Sequence, residues 1–360
     1  MEELIYLNVL RMVPGLGSAK MTQLLNVFPG PKQIWQATEK QLAQFVGFGK
    51  TLEALKFCKK TLNPAVEWDK LVRAGIKVTA PGCEEYPVNL GEIHQPPLIL
   101  YYRGDLSDLE LSLAVVGSRK GTPYGRAVAA SMARDLAGAG FAVVSGFARG
   151  IDAAAHQGAI SGKGKTIAVF GCGLDVIYPR EHRILCEEIC ENGAVVSEFP
   201  LGTQPLSMNF PARNRIISGV SLGTLVVEGK EKSGSLITAD FALEQGRDVF
   251  AVPGPVNSEF SRGPHKLLKQ GAKLVEEVND ILEEYAHLGS EPIQVKFAEF
   301  QYPEEYKGLM QLLNLEPLHI DKICQLLETS PERISGLLLQ LELSGQIRQL
   351  SGGYFVRNFL

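Results

Sequence analysis

Short apolar runs rich in Val, Ile and Ala, each ending in a turn of small residues, constrain this chain more than any other feature. They fall at residues 113–116, 142–145, 167–170, 194–197, 225–227 and 249–252. Continuous apolar runs of this length suit strands buried on both faces, and the helical stretches between them supply the crossovers that parallel neighbours require. Residues 111–285 are therefore predicted to form an α/β core, a Rossmann-like, doubly wound and mostly parallel sheet. Open sheets of that kind bind ligands at the carboxyl ends of their strands, which is where these turns must lie.

The turns carry chemistry. Gly117-Ser118-Arg119 follows the first run and Ser145-Gly146 the second, while Ser233-Gly234-Ser235 lies beyond the fifth. Between them stands Asn209-Phe210-Pro211-Ala212-Arg213-Asn214-Arg215. Glycine and serine let a backbone approach a phosphate, and arginines supply planar, bidentate donors. Phe210 adds a face on which a base can stack, so aromatic plus arginine at one helix start points to single-stranded nucleic acid. The alternative is that Phe210 belongs to the core and that the arginines pair with carboxylates such as Glu228 and Glu244.

Other chemistries fit poorly. Gly171-Cys172-Gly173 has Val176 where a dinucleotide fingerprint needs its third glycine, and Gly164-Lys165-Thr166 has Ala159 in place of a P-loop's leading glycine. His156, in the small-residue helix Ala153-Ala154-Ala155-His156, reads as a structural hydrogen-bonding residue. Cys186 and Cys190 stand one helical turn apart but find no second pair at metal-ligand spacing, so they read as core. No catalytic residue, metal or cofactor is predicted.

A formal net charge of −4 over 360 residues excludes a wholly basic binder, so any nucleic-acid contact has to come from a local patch. The 6 cysteines form no CxxC pair, which favours a reducing, cytoplasmic setting, and neither a leader nor a membrane span is expected. Residues 1–62 read as helical. Their turns Val13-Pro14-Gly15-Leu16-Gly17 and Val46-Gly47-Phe48-Gly49 resemble a tandem helix-hairpin-helix, SAM-like domain. Such hairpins either hold a backbone phosphate at a helix N-terminus or simply join packed helices. Residues 63–110 read as an ordered connector and 286–303 as a linker. Residues 304–360 read as a winged helix, three helices closed by a hairpin at Gly352-Gly353. That tail holds five Lys or Arg against seven Asp or Glu, which favours a protein-contact or weak duplex-DNA role.

Taken in order, GSRKGTPYG from Gly117, SGFARGIDAAAH from Ser145, GCGLDVIYP from Gly171, SEFPLG from Ser197, FPARNRIISG from Phe210, SGSLITADFALEQGRDVFAVPG from Ser233 and GPHKLLKQGA from Gly263 resemble the DNA-processing protein A family, also called DprA or Smf. The resemblance spans essentially the whole chain. It implies a single-stranded DNA-binding protein that protects incoming DNA, forms a homodimer through its Rossmann-like core and loads the RecA recombinase during natural transformation. On the same ground Arg119 contacts a phosphate or base, Phe210 stacks, and Arg213 and Arg215 complete a basic groove. Ser233-Gly234-Ser235 lends amides and hydroxyls, and Gly117, Ser118, Ser145, Gly146 and Asn214 complete the candidate set. The chain departs from many relatives at Leu206-Ser207-Met208-Asn209, which is uncharged just before the Phe-Pro pair.

A rival reading is enzymatic. The same Rossmann variant resembles nucleoside-monophosphate phosphoribohydrolases, which need a Pro-Gly-Gly-x-Gly-Thr-x-x-Glu loop to present a carboxylate to the ribose. Here the corresponding loop is Ser233-Gly234-Ser235-Leu236-Ile237-Thr238, with Thr238 near the place of the glutamate.

Overall fold

The computed structural model describes residues 2–45, 49–288, 304–313, 317–343 and 346–357. The expected linker beyond residue 288 and most of the second expected hairpin, residues 46–48, lie outside the described residues.

The chain begins with the helices α1 (Glu2–Arg11), α2 (Ser18–Leu25), α3 (Pro31–Gln36), α4 (Glu39–Leu42), α5 (Gly49–Thr61) and α6 (Pro64–Arg73). Leu7, Leu10, Met21, Leu24, Ile34 and Leu55 form their core, as the helical spacing of apolar residues requires. Thr51, at the start of α5, donates its hydroxyl to Gly15 O at 3.3 Å and accepts from Lys20 Nζ at 2.6 Å, tying α5 to the first glycine turn.

A nine-stranded sheet follows. Its elements are β1 (Lys77–Thr79), α7 (Val88–Gly91), β2 (Leu100–Gly104), β3 (Ser112–Val116), α8 (Pro123–Gly138), β4 (Ala142–Ser145), α9 (Ile151–Ser161), β5 (Thr166–Val169), α10 (Arg183–Asn192), β6 (Gly193–Ser197), α11 (Asn209–Val220), β7 (Gly223–Val226), α12 (Gly234–Glu244), β8 (Asp248–Ala251), α13 (Arg262–Lys269), β9 (Lys273–Leu274) and α14 (Asn279–Leu282). The strand order is β1-β2-β6-β5-β4-β3-β7-β8-β9, parallel from β6 to β9 and antiparallel at β1 and β2.

Successive residues of a strand point to opposite faces, and both faces here are covered. Leu113, Val115 and Val143 meet α8 and α9, and Ala168 and Val195 meet α10. On the other face Ala114, Val116, Val144 and Val196 meet α7, α11, α12 and α13. The small residues of α9 let it lie close against α8: a Cβ on Gly158 would stand 2.2 Å from Ala130 O. His156 is buried in this layer, its Nδ1 2.7 Å from Thr166 Oγ1, and burial lowers its pKa to about 3.

All six expected strands are present, with ends shifted by a residue or so. The sequence pattern missed β1, β2 and β9. β1 and β9 are too short to show a period, and β2 sits in a proline-rich stretch. The stretch 63–110, expected as an ordered connector, thus carries a helix of the N-terminal bundle and two strands of the central sheet. Tyr101 of β2 is buried in the bundle's core and donates its hydroxyl to Asn8 Oδ1 at 2.8 Å.

The C-terminal unit contains α15 (Glu304–Leu312), β10 (Leu318–His319), α16 (Ile320–Leu327), α17 (Pro331–Leu343), β11 (Ile347–Leu350) and β12 (Tyr354–Arg357). Leu309, Leu313, Ile323, Ile334, Leu338 and Phe355 pack as its core. Three helices and a hairpin match the winged-helix expectation, with β10 as an added third strand. No helix among the described residues is long and apolar enough to cross a membrane.

Candidate nucleic-acid interface

The sheet changes direction of winding at β3. From β3 the chain adds β4, β5 and β6 on one side, then crosses over to add β7, β8 and β9 on the other. Such a switch point leaves a crevice at the carboxyl ends of the two central strands. The turns after β3 and β7 are fastened together there. Ser118 N donates to Glu228 O at 2.8 Å, and the Thr122 amide and hydroxyl each donate to the Glu228 carboxylate at 2.7 Å. A Cβ on Gly150, whose φ is +80°, would stand 2.4 Å from Ser118 O, so glycine lets the start of α9 close against the first turn.

Above these turns opens a cleft of about 630 Å³. Its rim is basic and aromatic. Exposed Arg119 places its guanidinium 5.0 Å from the centre of the Phe210 ring, and the Tyr178 ring lies 5.7 Å from Phe210 at an interplanar angle of 42°. Lys230 reaches over Phe260 at 5.4 Å and also pairs with Glu259 at 2.8 Å. Lys120 and Lys232, both exposed, also line the opening.

The floor is different. Arg213 is 3% exposed and donates to Gly146 O at 2.7 Å and to Val169 O. Burial lowers its pKa to about 10, the Asp152 carboxylate opposing the shift. Burial likewise pushes Asp152 up to about 6, against the pull of Arg213 and of the Ala148 and Gly117 amides, which donate to its carboxylate. Asn214 donates to Gly234 O at 3.1 Å, joining α11 to the first residue of α12. Ser233 caps α12 by accepting from Ser235 N at 3.4 Å.

Residues 77–286 match the family model of DNA recombination-mediator protein A, and residues 298–353 match that of the DprA winged helix domain. The chain belongs to this DprA/Smf family. It is 40% identical over 308 residues to protein Smf of Escherichia coli (strain K12), covering 83% of this chain and 82% of that one. The X-ray structure of DprA from Streptococcus pneumoniae superposes with a TM-score of 0.64 at 34% identity, over 78% of this chain and 97% of that one. DprA from Helicobacter pylori, whose structure concerns its single-stranded DNA binding mode, gives a TM-score of 0.52 at 30% identity, over 59% and 96% of the two chains.

Of the residues expected to form the DprA groove, the structure gathers Gly117, Ser118, Arg119, Phe210, Arg213, Asn214, Ser233, Gly234 and Ser235 around one cleft. Three others lie outside its lining. Ser145 is fully buried and donates its hydroxyl to Val115 O at 2.6 Å, and Gly146 lies beneath Arg213 as its acceptor. Arg215, expected beside Arg213 in the groove, instead pairs with buried Glu198 at 2.5 Å, alongside Arg11 of α1. The alternative that the arginines pair with carboxylates therefore holds for Arg215, with Glu198 and not Glu228 or Glu244 as the partner. The divergence was legible as helix geometry, since positions two apart point roughly 200° apart while 210, 213, 214 and 217 share one face.

Sequence reasoning missed Tyr178, Phe260, Lys230 and Lys232 as cleft residues. The lysines sit in the mixed run Glu228-Gly229-Lys230-Glu231-Lys232, whose formal charges cancel on paper, and the aromatics come from distant loops. Among the described residues no group of three or more His, Cys, Asp and Glu side chains is placed to hold a metal. Thr238 is buried at the cleft wall, and the carboxylate lining the cleft, Asp152, is 7% exposed and engaged with amides.

Proposed function

We propose that this chain binds single-stranded DNA in the cleft at the switch point. The observation that carries this reading is the exposed Arg119 guanidinium stacked on Phe210, at a rim that also presents Lys120, Lys230 and Lys232. A base can stack only when its face is free, as in a single strand, while the lysines and the capped start of α12 meet phosphates. The H. pylori relative's single-stranded DNA binding supports the assignment. The reading is binding and not ribohydrolase chemistry, Thr238 standing near the place of the ribohydrolase glutamate. The test is fluorescence anisotropy with single-stranded and duplex oligonucleotides across salt. Preference for the single strand and a steep salt slope support the reading, and equal affinity for the two overturns it. Release of free adenine from AMP would favour the enzyme instead.

Two further functions belong to the same proposal, supported by family membership. The core pairs as a homodimer, which places two clefts on one strand and raises avidity through effective concentration. The bound strand is passed to the RecA recombinase during transformation. Light scattering reads the first, and the lag before recombinase filaments form on a protein-coated strand reads the second. The domain partition enters here as well. A chain ending at residue 303 should keep single-strand affinity, because the tail from 304 onward is net acidic.

A further inference from the structure

Away from the cleft, α10 carries Cys186 and Cys190 one turn apart, and the neighbouring strand β2 aims Arg103 at both. Arg103 Nε donates to Cys190 Sγ at 3.1 Å, and one terminal nitrogen donates to Cys186 Sγ at 3.5 Å and to Glu187 Oε1 at 3.0 Å. Cys186 is buried, whereas Cys190 is part-exposed. A guanidinium has only donors, so sulfur must act as the acceptor, a part the thiolate plays far better than the thiol. The two sulfurs act on each other as well. Pairing with Cys186, then the Arg103 guanidinium, hold the Cys190 thiol below the ordinary range, while the same pairing and burial push Cys186 up. Positions four apart on an α-helix have Cα atoms about 6 Å apart, but their Cβ atoms are about 5–6 Å apart against the roughly 3.5–4.5 Å of a disulfide, so closing the S–S bond requires the last turn of α10, which ends two residues beyond Cys190, to unwind.

We propose that Cys190 and Cys186 form a peroxide-reactive dithiol, with Cys190 as the attacking sulfur and Cys186 as the resolving one. The Cys190 thiolate attacks one oxygen of a hydroperoxide. The S–O bond forms as the O–O bond breaks, and the departing oxygen leaves as hydroxide or alkoxide and takes up a proton from water, giving a sulfenic acid. The Cys186 sulfur then attacks that sulfur. The S–S bond forms, the S–O bond breaks, and water leaves carrying the Cys186 proton. The two cysteines lose two electrons and the peroxide gains them. Cys83 and Cys324, which are also part-exposed, are the built-in comparison.

The test uses the full chain, hydrogen peroxide as the probe and iodoacetamide trapping read by peptide mass spectrometry. At pH 7 Cys190 is expected to alkylate ahead of Cys83 and Cys324. Peroxide should protect Cys186 and Cys190 together, and dithiothreitol should restore both. In Cys186→Ser the reaction should stop at a dimedone-trappable sulfenic acid on Cys190. Arg103→Gln should slow Cys190 alkylation about tenfold and Arg103→Lys should restore part of the rate, a pattern that misfolding would not produce. Equal alkylation of Cys190, Cys83 and Cys324, or peroxide modifying Cys190 without ever protecting Cys186, overturns the proposal.

Discussion

The floor and the rim of the cleft are built from the same residue types and do opposite work. At the floor Arg213 is buried, its guanidinium turned onto two backbone carbonyls with Asp152 beside it. At the rim Arg119 is exposed and rests on the face of Phe210. One terminal nitrogen of Arg213 is spent on those carbonyls while its buried Nε finds no partner, whereas an exposed guanidinium keeps its donors for a ligand. Burial, and not residue type, therefore separates the arginine that shapes the cleft from the arginine that can meet a phosphate.

The largest expected effect is on the floor. Arg213→Ala leaves two buried carbonyls unpaired and a cavity beneath α11, and should lower the unfolding free energy by about 3–5 kcal/mol in denaturant titration. A variant as stable as its parent but unable to bind DNA would move Arg213 to the rim and break the comparison. Arg119→Ala should do the reverse. We expect an unchanged melting midpoint, single-strand binding weaker by roughly 2–3 kcal/mol, and a salt slope smaller by about 0.7. Unaltered affinity would remove Arg119 from the interface.

Phe210 stands between the two regions, since its ring also lies over the backbone of Gly171, where a Cβ would be 2.9 Å away. With one ring face already near Arg119, Phe210→Ala should cost roughly 1–2 kcal/mol of binding. A collapse of the melting temperature in that variant would assign the ring to the floor.

Asp152 gives the smallest effect and the sharpest test of how floor and rim communicate. Its pKa in the folded chain is raised to about 6, so folding favours the protonated form. The corresponding stability is full at low pH and is lost as the pH rises through about 6. A phosphate bound at Arg119 favours the same protonation. Single-strand affinity should therefore rise about threefold as the pH falls through 6, and Asp152→Asn should abolish that step. Anisotropy titrations from pH 5 to 8 would show it, and an identical pH profile in the variant would disconnect Asp152 from the ligand.

Much of this fold is legible in the sequence. The strands β3 to β8 announce themselves because a strand buried on both faces has to be apolar throughout, and the crossover helices between them leave a doubly wound sheet as the compatible arrangement. The turns at Gly117 and Ser233 mark the ligand end of that sheet for the same reason. β1 and β9 were hidden as short edge elements that take their stability from pairing with β2 and β8, and β2, paired on both sides by β1 and β6, was hidden by the proline-rich stretch around it.

The sequence by itself determined the layered core, the end of the sheet where the cleft opens, and the presence there of an arginine-rich and aromatic segment. The separate roles of Arg119, Arg213 and Arg215 were decided by tertiary structure alone. Arg213 finds Gly146 and Val169 at separations of 67 and 44 residues, and Arg215 finds Glu198 17 residues away. A guanidinium's environment is set by which carbonyls, carboxylates and rings the fold brings within about 3 Å to 6 Å of it. Those neighbours are far away along the chain, so no local pattern encodes which arginine is buried and which is left facing the cleft.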